Sequence, residues 1–359
     1  MKIIPILSQF KALNPTNNNT NFQYCSQPKF KNTLEQDTVS FTSTQNKKET
    51  DIKKNKVLES NSKIVSTKLC NEIAQEAMQP AKDIHSLLKR EFKNLVATDK
   101  NPNAPIMPGN SGIKVRVKSP RSIRDKALST KNLTKDEIKK IGDIIGARIV
   151  LRKCQPEDID QVFKILGQMV TRGVINVKEV ENHRLTSKDS YVTQKTLEEF
   201  EDTCAKAKQY PDIISKPIPS GYTAIHLTVE LENGFIGEIQ IMGRDMEHVK
   251  DVEDFYYKLN CIKNFDPKYK SIEKTMIEKI AQLSTFEKEA LDKYIKDSYA
   301  HAREIPPKSS KTSTTTKDFL PWPYFLPEEL SYTYLYAKKL ECDKAAKKAI
   351  ENKVAKKND

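Results

Sequence analysis

The chain has 359 residues, 37% hydrophobic and 30% charged, a polar balance for a globular protein of this length. Its six cysteines are scattered without a C-x-x-C pair, and no histidine stands at metal-ligand spacing. This excludes a disulfide scaffold and a zinc finger, and the cysteines read as free thiols in a reducing compartment. The net charge of +13 is spread along the chain rather than gathered in one basic arm, so a phosphate-rich small substrate explains it as well as a polynucleotide does.

At the N-terminus the one apolar run, Ile3-Ile4-Pro5-Ile6-Leu7, is too short for a signal sequence, and no segment is long and apolar enough to span a bilayer. A cytoplasmic protein without membrane contact is expected. Residues 1–58, rich in Asn, Thr, Ser and Lys, are expected to form a disordered tail. Over 59–108 a helical segment follows, with Leu69, Ile73, Ala77, Ile84 and Leu88 at near-helical spacing. It is one long helix, or two broken near Pro80.

All ten glycines fall between Gly109 and Gly243, which places the turn-rich core over residues 109–260. Ile113 to Lys118 alternates like a strand, and Ser119-Pro120 is a cap and first-turn proline for a helix through Leu128. A short helix at Lys135–Ile141, a strand at Ala147–Leu151 and a helix at Pro156–Val170 come next. Strands are expected at Val174–Val180, Thr223–Leu231 and Phe235–Ile241. Between the first two of these lies a polar insertion, Leu185–Lys216, with a helix at Lys195–Gln209; it is a lid, a partner surface or a solvated excursion. The predicted class is α+β, a mixed β-sheet flanked by helices with helical N- and C-terminal extensions.

Past Gly243 the pattern is helical through Lys258 and again, over the segment 261–305, from Ile272 to Ala300. Residues 306–359 comprise a Ser/Thr/Lys linker at Lys308–Lys317, a crowded aromatic stretch at Asp318–Tyr336 and a basic Lys/Ala-rich end.

No Walker A and no G-x-G-x-x-G sequence occurs, so phosphates would have to be held by side chains. Three clusters offer them. In Arg116-Val117-Lys118-Ser119-Pro120-Arg121-Ser122-Ile123-Arg124-Asp125-Lys126, Arg116 and Lys118 share a strand face, and Ser122 and Lys126 share a helix face. Their convergence near a helix N-terminus makes a triphosphate clamp, although a solvated basic strand edge explains the same residues. In Gly142-Asp143-Ile144-Ile145-Gly146-Ala147-Arg148, Asp143 is placed to hold Mg²⁺ and Arg148 to reach a phosphate, or they are a capping Asp and an edge Arg. In Gly221-Tyr222-Thr223-Ala224-Ile225-His226 and Gly237-Glu238-Ile239-Gln240-Ile241, Glu238 and Gln240 point to one strand face. An acid on an inner strand is costly unless paired or bound to metal. Tyr222 is either a base-stacking ring or half-buried core, and His226 is catalytic or structural.

Together the clusters resemble the synthetase domain of the RelA/SpoT family, whose pattern runs R-x-K-x-x-x-S-x-x-x-K, D-x-x-G-x-R, G-Y-x-x-x-H and E-I-Q-I. The resemblance implies a nucleotidyltransferase-like sheet that moves pyrophosphate from ATP to the 3′-hydroxyl of GDP or GTP. It implies that Arg116, Lys118, Ser122, Lys126 and Arg148 bind ATP, and that Asp143 and Glu238 hold Mg²⁺, Glu238 also taking the acceptor's proton. Tyr222 would stack on guanine, with His226 and Gln240 at or beside the acceptor. The chain departs from the pattern at Met242, where arginine is usual, at Ser220, where asparagine is usual, and at Glu253-Asp254 for Glu-His.

No H-D-x-x-E-D hydrolase motif occurs, so a synthetase-only enzyme is expected. Two rivals remain: a toxin-like relative that modifies the 3′ end of tRNA, and a degenerate domain that only binds nucleotide. A homo-oligomeric state stays open.

Overall fold

The computed structural model describes residues 65–358, apart from 132–133, 185–189, 232–233, 261–265 and 305–318. The expected tail at 1–58 and the linker at Lys308–Lys317 lie outside the described residues.

Two helices open the described chain, α1 (Thr67–Glu76) and α2 (Met78–Glu91), and the break falls at Ala77. Pro80 lies in the first turn of α2, where its missing N–H costs nothing. Strand β1 (Ile113–Val117) leads into α3 (Pro120–Thr130), whose start is fixed as the sequence indicated. The Ser119 side chain accepts from the Ser122 N–H, and Pro120 occupies the first turn. A capping box of Thr134 and Glu137 nucleates the short α4 (Lys135–Lys139). Then come β2 (Ile145–Leu151), α5 (Pro156–Thr171), β3 (Asn176–Arg184), α6 (Gln194–Lys206), β4 (Asp212–Pro217), β5 (Ala224–Glu230) and β6 (Ile236–Gly243).

The strands form one six-stranded mixed sheet in the order β1-β2-β6-β5-β3-β4. Pairs β2–β6 and β3–β4 are parallel and the other three antiparallel. Strand β4 has no counterpart in the expectations, which placed its residues in a surface insertion. It is a short edge strand whose side chains are all exposed or half-exposed, so no buried alternation marks it.

One face of the sheet is apolar. Ile145, Ala147, Ile149, Leu227, Ile239 and Ile241 point to it and pack against buried residues of α1, α2, α3, α5 and α6 in a single core. A second core lies beyond the sheet's end, built from α7 (Arg244–Asn260), α8 (Lys270–Gln282), α9 (Thr285–Glu304) and α10 (Tyr332–Asn358). The helix expected from Ile272 to Ala300 is two. Ser284 and Glu287 form a reciprocal cap, with Glu287 Oε2 accepting from the Ser284 N–H at 2.7 Å, and start a new helix there. The aromatic stretch is part of this core: Leu330 and Tyr332 are fully buried, and the Tyr256 hydroxyl donates to the Leu330 carbonyl. No described helix is long and apolar enough to cross a membrane.

Candidate active site

The other face of the sheet is polar, because side chains alternate along each strand. Cross-strand register places Arg116, Gly146, Glu238, Thr228 and Glu179 in one row, and Lys114, Arg148, Gln240, His226 and Glu181 in the next. Gly146 leaves the first row open where the Arg116 side chain crosses it.

Asp143 sits in the turn before β2, beneath the start of α3. Both Lys118 and Lys126 donate to its Oδ2, Lys126 at 3.2 Å, so the cationic strand end and the cationic helix face meet on one carboxylate. Burial alone would raise the Asp143 pKa, but the two ammonium groups outweigh it and hold the group at about 2. Lys118 is pushed down, first by burial and further by Lys126 and Arg116, against the pull of Asp143. Asp143 Oδ1 is buried and has no hydrogen-bond partner among the described residues.

A carboxylate near 2 in the folded state and about 3.9 in the unfolded chain stabilises the fold above roughly pH 4, and that contribution is lost as pH falls toward 2. Asp143→Asn is therefore expected to flatten the acid limb of a urea-midpoint profile by roughly 2 kcal/mol. Glu181 and Asp254 are also held at about 2, so a limb should remain; an unchanged limb would refute the pairing.

Glu238 lies across the sheet from Gly146. His226 Nδ1 is 3.0 Å from its Oε1, and the Gln240 amide donates to its Oε2 at 2.6 Å. Burial pushes its pKa up, yet His226 and Gln240 bring it below the ordinary glutamate value, so it is ionised near neutrality. The other nitrogen of His226 meets the Tyr222 hydroxyl at 3.0 Å.

Tyr222 is only 6% exposed. Tyr299 of α9 stands edge-on to its ring at 6.0 Å, and Lys250 Nζ lies over it at 5.5 Å. Gly221 precedes Tyr222 with φ +87°, a backbone conformation that L side chains rarely adopt. Arg303 also donates to the Gly221 carbonyl at 2.5 Å. Truncating so buried a ring costs about 3–5 kcal/mol, so Tyr222→Ala is expected to lower the melting temperature by about 6–15 °C. Tyr222→Phe should stay close to wild type in the same melt, and equal losses in the two would contradict this packing.

Arg148 does not join the Lys118–Asp143–Lys126 cluster. Its guanidinium donates to Gln240 at 2.9 Å, to Asp251 at 3.1 Å and to Glu247 at 3.4 Å, the last two on α7. Ser122 faces a shallow cleft beside Arg121, Asp125 and Asp266, with its hydroxyl 2.9 Å from Ser119.

Residues 115–261 match the model of the region found in RelA / SpoT proteins. The chain carries a RelA/SpoT-type domain. That domain spans β1 through α7 and contains every site residue named above from Arg116 to Asp254. A pyrophosphotransferase of the RelA/SpoT kind is the activity it brings. Among solved structures, small alarmone synthetase 1 from Bacillus subtilis is 21% identical over 64% of this chain and 98% of its own, with a TM-score of 0.34. The same enzyme bound to its product pppGpp aligns at 21% identity over 58% of this chain and 91% of its own, with a TM-score of 0.34. A GTP pyrophosphokinase family protein from Streptococcus pneumoniae is 19% identical over 66% of this chain and 98% of its own, with a TM-score of 0.36. At these scores the likenesses add no weight to the domain match. No curated protein matches the chain.

Within the RelA/SpoT-type domain, two departures from the family pattern have a plain structural setting. Met242 is fully buried in the second core, so this position faces packing rather than the polar rows. Glu253 and Asp254 both accept from Lys250, at 2.9 and 2.6 Å. Several polar residues of this face escaped the sequence reading: Glu181 and His183 on β3, Lys216 on β4, Lys250, Glu247 and Asp251 on α7, and Arg303 on α9. The alternation Glu179, Glu181, His183 was the available signal for the first two, since three polar side chains two apart mark one strand face.

Proposed function

We propose that this chain is a synthetase-only RelA/SpoT-type enzyme of the cytoplasm that transfers the β,γ-pyrophosphate of ATP to the 3′-hydroxyl of GDP or GTP, with AMP as leaving group. One observation carries the reading: Lys118, just past β1, and Lys126 of α3 converge on Asp143, while ionised Glu238 stands on the polar face of the sheet. Polyphosphate transfer needs positive charge at the bridging oxygens and an aligned hydroxyl, and little covalent work by the protein.

Asp143 and Glu238 suit a magnesium ion. Both are ionised oxygen donors near neutral pH, and the buried Asp143 Oδ1 has no partner among the described residues. When bound, that ion would neutralise phosphate charge and draw electron density from the attacked phosphorus. Arg116, Lys118 and Lys126 hold the triphosphate beside the N-terminus of α3, whose dipole adds to their field. Glu238 accepts the proton of the attacking hydroxyl, and His226 and Gln240 fix its orientation. Tyr222, its ring covered, serves the acceptor end by orienting His226 through its hydroxyl rather than by stacking.

The test is direct. Incubated with ATP labelled in the γ-phosphate, the protein is expected to label GDP or GTP, with an acceptor KM that changes little with salt. Label appearing in bulk tRNA alone, with a steep loss on adding salt, would replace this reading with the tRNA-modifying one.

A further inference from the structure

The polar face continues past His226 to Glu181 and His183, two side chains with no part in the transfer proposed above, which form a cluster with it. Glu181 and His226 are direct cross-strand partners on β3 and β5, and His183 lies two residues beyond Glu181 on the same face. One ligand atom from each of the three lies within 4.8 Å of the others. The two imidazole rings are 4.2 Å apart between centroids, and His183 Nε2 is 2.8 Å from Glu181 Oε2. His183 is 5% exposed, and its Nδ1 is buried without a hydrogen-bond partner among the described residues. No spacing in the sequence announces this set, because its members come from two strands separated by an insertion.

Two imidazoles and one carboxylate suit a borderline-soft divalent cation of the first transition row and are a poor match for magnesium, which prefers oxygen in octahedral array. We propose that Glu181, His183 and His226 form a second cation site for such an ion, and that filling it inhibits the enzyme. This second part rests on the function proposed above. Both nitrogens of His226 are engaged, one with Glu238 and the other with Tyr222, so giving one to a metal releases Glu238 or Tyr222 from its partner. Lys216 already pairs with this carboxylate, its ammonium 2.5 Å from Glu181 Oε1. An entering ion competes with that positive charge for Glu181, which makes Lys216 a brake on metal affinity.

The probe is Co²⁺, titrated into the whole chain under saturating Mg²⁺ and followed by visible d–d absorption. One equivalent is expected to bind without the thiolate charge-transfer band that cysteine ligation gives. His183→Gln and Glu181→Gln should each weaken binding by more than about 100-fold, beyond the loss typical of an outer-shell partner. Lys216→Gln should tighten it, by about tenfold for a contact of roughly 1.4 kcal/mol. Thermal melts of each variant show whether it is folded, and the Lys216 gain cannot arise from misfolding. Absent absorption in the wild type, a thiolate band, or wild-type affinity in folded His183→Gln would overturn the site. In the same titration, transfer to GDP should fall as Co²⁺ binds to the wild type and hold in His183→Gln; binding without inhibition overturns the inhibitory half. A chain that binds Co²⁺ here but never labels a guanosine nucleotide would count against the proposed function and leave the metal site standing.

Discussion

Asp143→Asn is expected to lower single-turnover pyrophosphate transfer by about three orders of magnitude, the worth of several kcal/mol of metal-borne charge stabilisation. The amide keeps the volume but loses the charge that would ligate magnesium. A second loss follows from the geometry. Lys118 and Lys126 share Asp143 Oδ2, and without it two ammonium groups face each other. Lys118 is already pushed down by burial, so losing its carboxylate favours shedding its proton and with it the charge proposed to hold phosphate. ATP binding should therefore weaken as well as turnover. Circular dichroism checks the fold, and transfer within tenfold of wild type in a folded variant would refute the metal assignment.

Glu238→Gln is expected to reduce the rate by about 10²–10⁴, the range for losing a positioned general base, with further loss if magnesium affinity falls. Here the pH profile separates base from scaffold. Because Glu238 is held below the ordinary glutamate value, with His226 and Gln240 outweighing its burial, wild-type activity should persist to lower pH than a free glutamate allows. It should then be lost as pH falls through the folded-state value. In Glu238→Gln that acid limb should vanish from the residual rate. A limb that survives unchanged would assign the titration to another group.

Much of this was legible because local chemistry and tertiary role agree. Ser119-Pro120 announces a helix start that also aims Lys126 at Asp143, and Glu238-Ile239-Gln240-Ile241 announces a strand with one polar and one buried face. What escaped depends on distant chain. Strand β4 exists because β3 offers it an edge, and its own residues carry no buried alternation. The burial of Tyr222 was invisible from its neighbours, because the ring is covered by Tyr299 and Lys250, brought in by helices of the second core. Arg148 likewise follows the acids of α7 rather than its own strand. The break at Ser284 is a different kind of miss, since Ser284 and Glu287 already spell a capping box.

The second core gives the protein a sense of time during its own synthesis. Arg116, Lys118, Asp143 and Glu238 leave the ribosome while the Leu330–Tyr332 stretch, which seats Tyr256, is still to be made. At about 5–20 residues per second, the interval from Glu238 to Tyr332 is roughly 5–20 s. For part of that period a nascent chain carries Lys118, Lys126 and Asp143 without the Tyr299 and Arg303 contacts that fix the Gly221-Tyr222 loop, and for all of it without a finished second core. The order of synthesis thus makes the residues that cover Tyr222 and seat Tyr256 available only after the whole sheet they pack beside has been made.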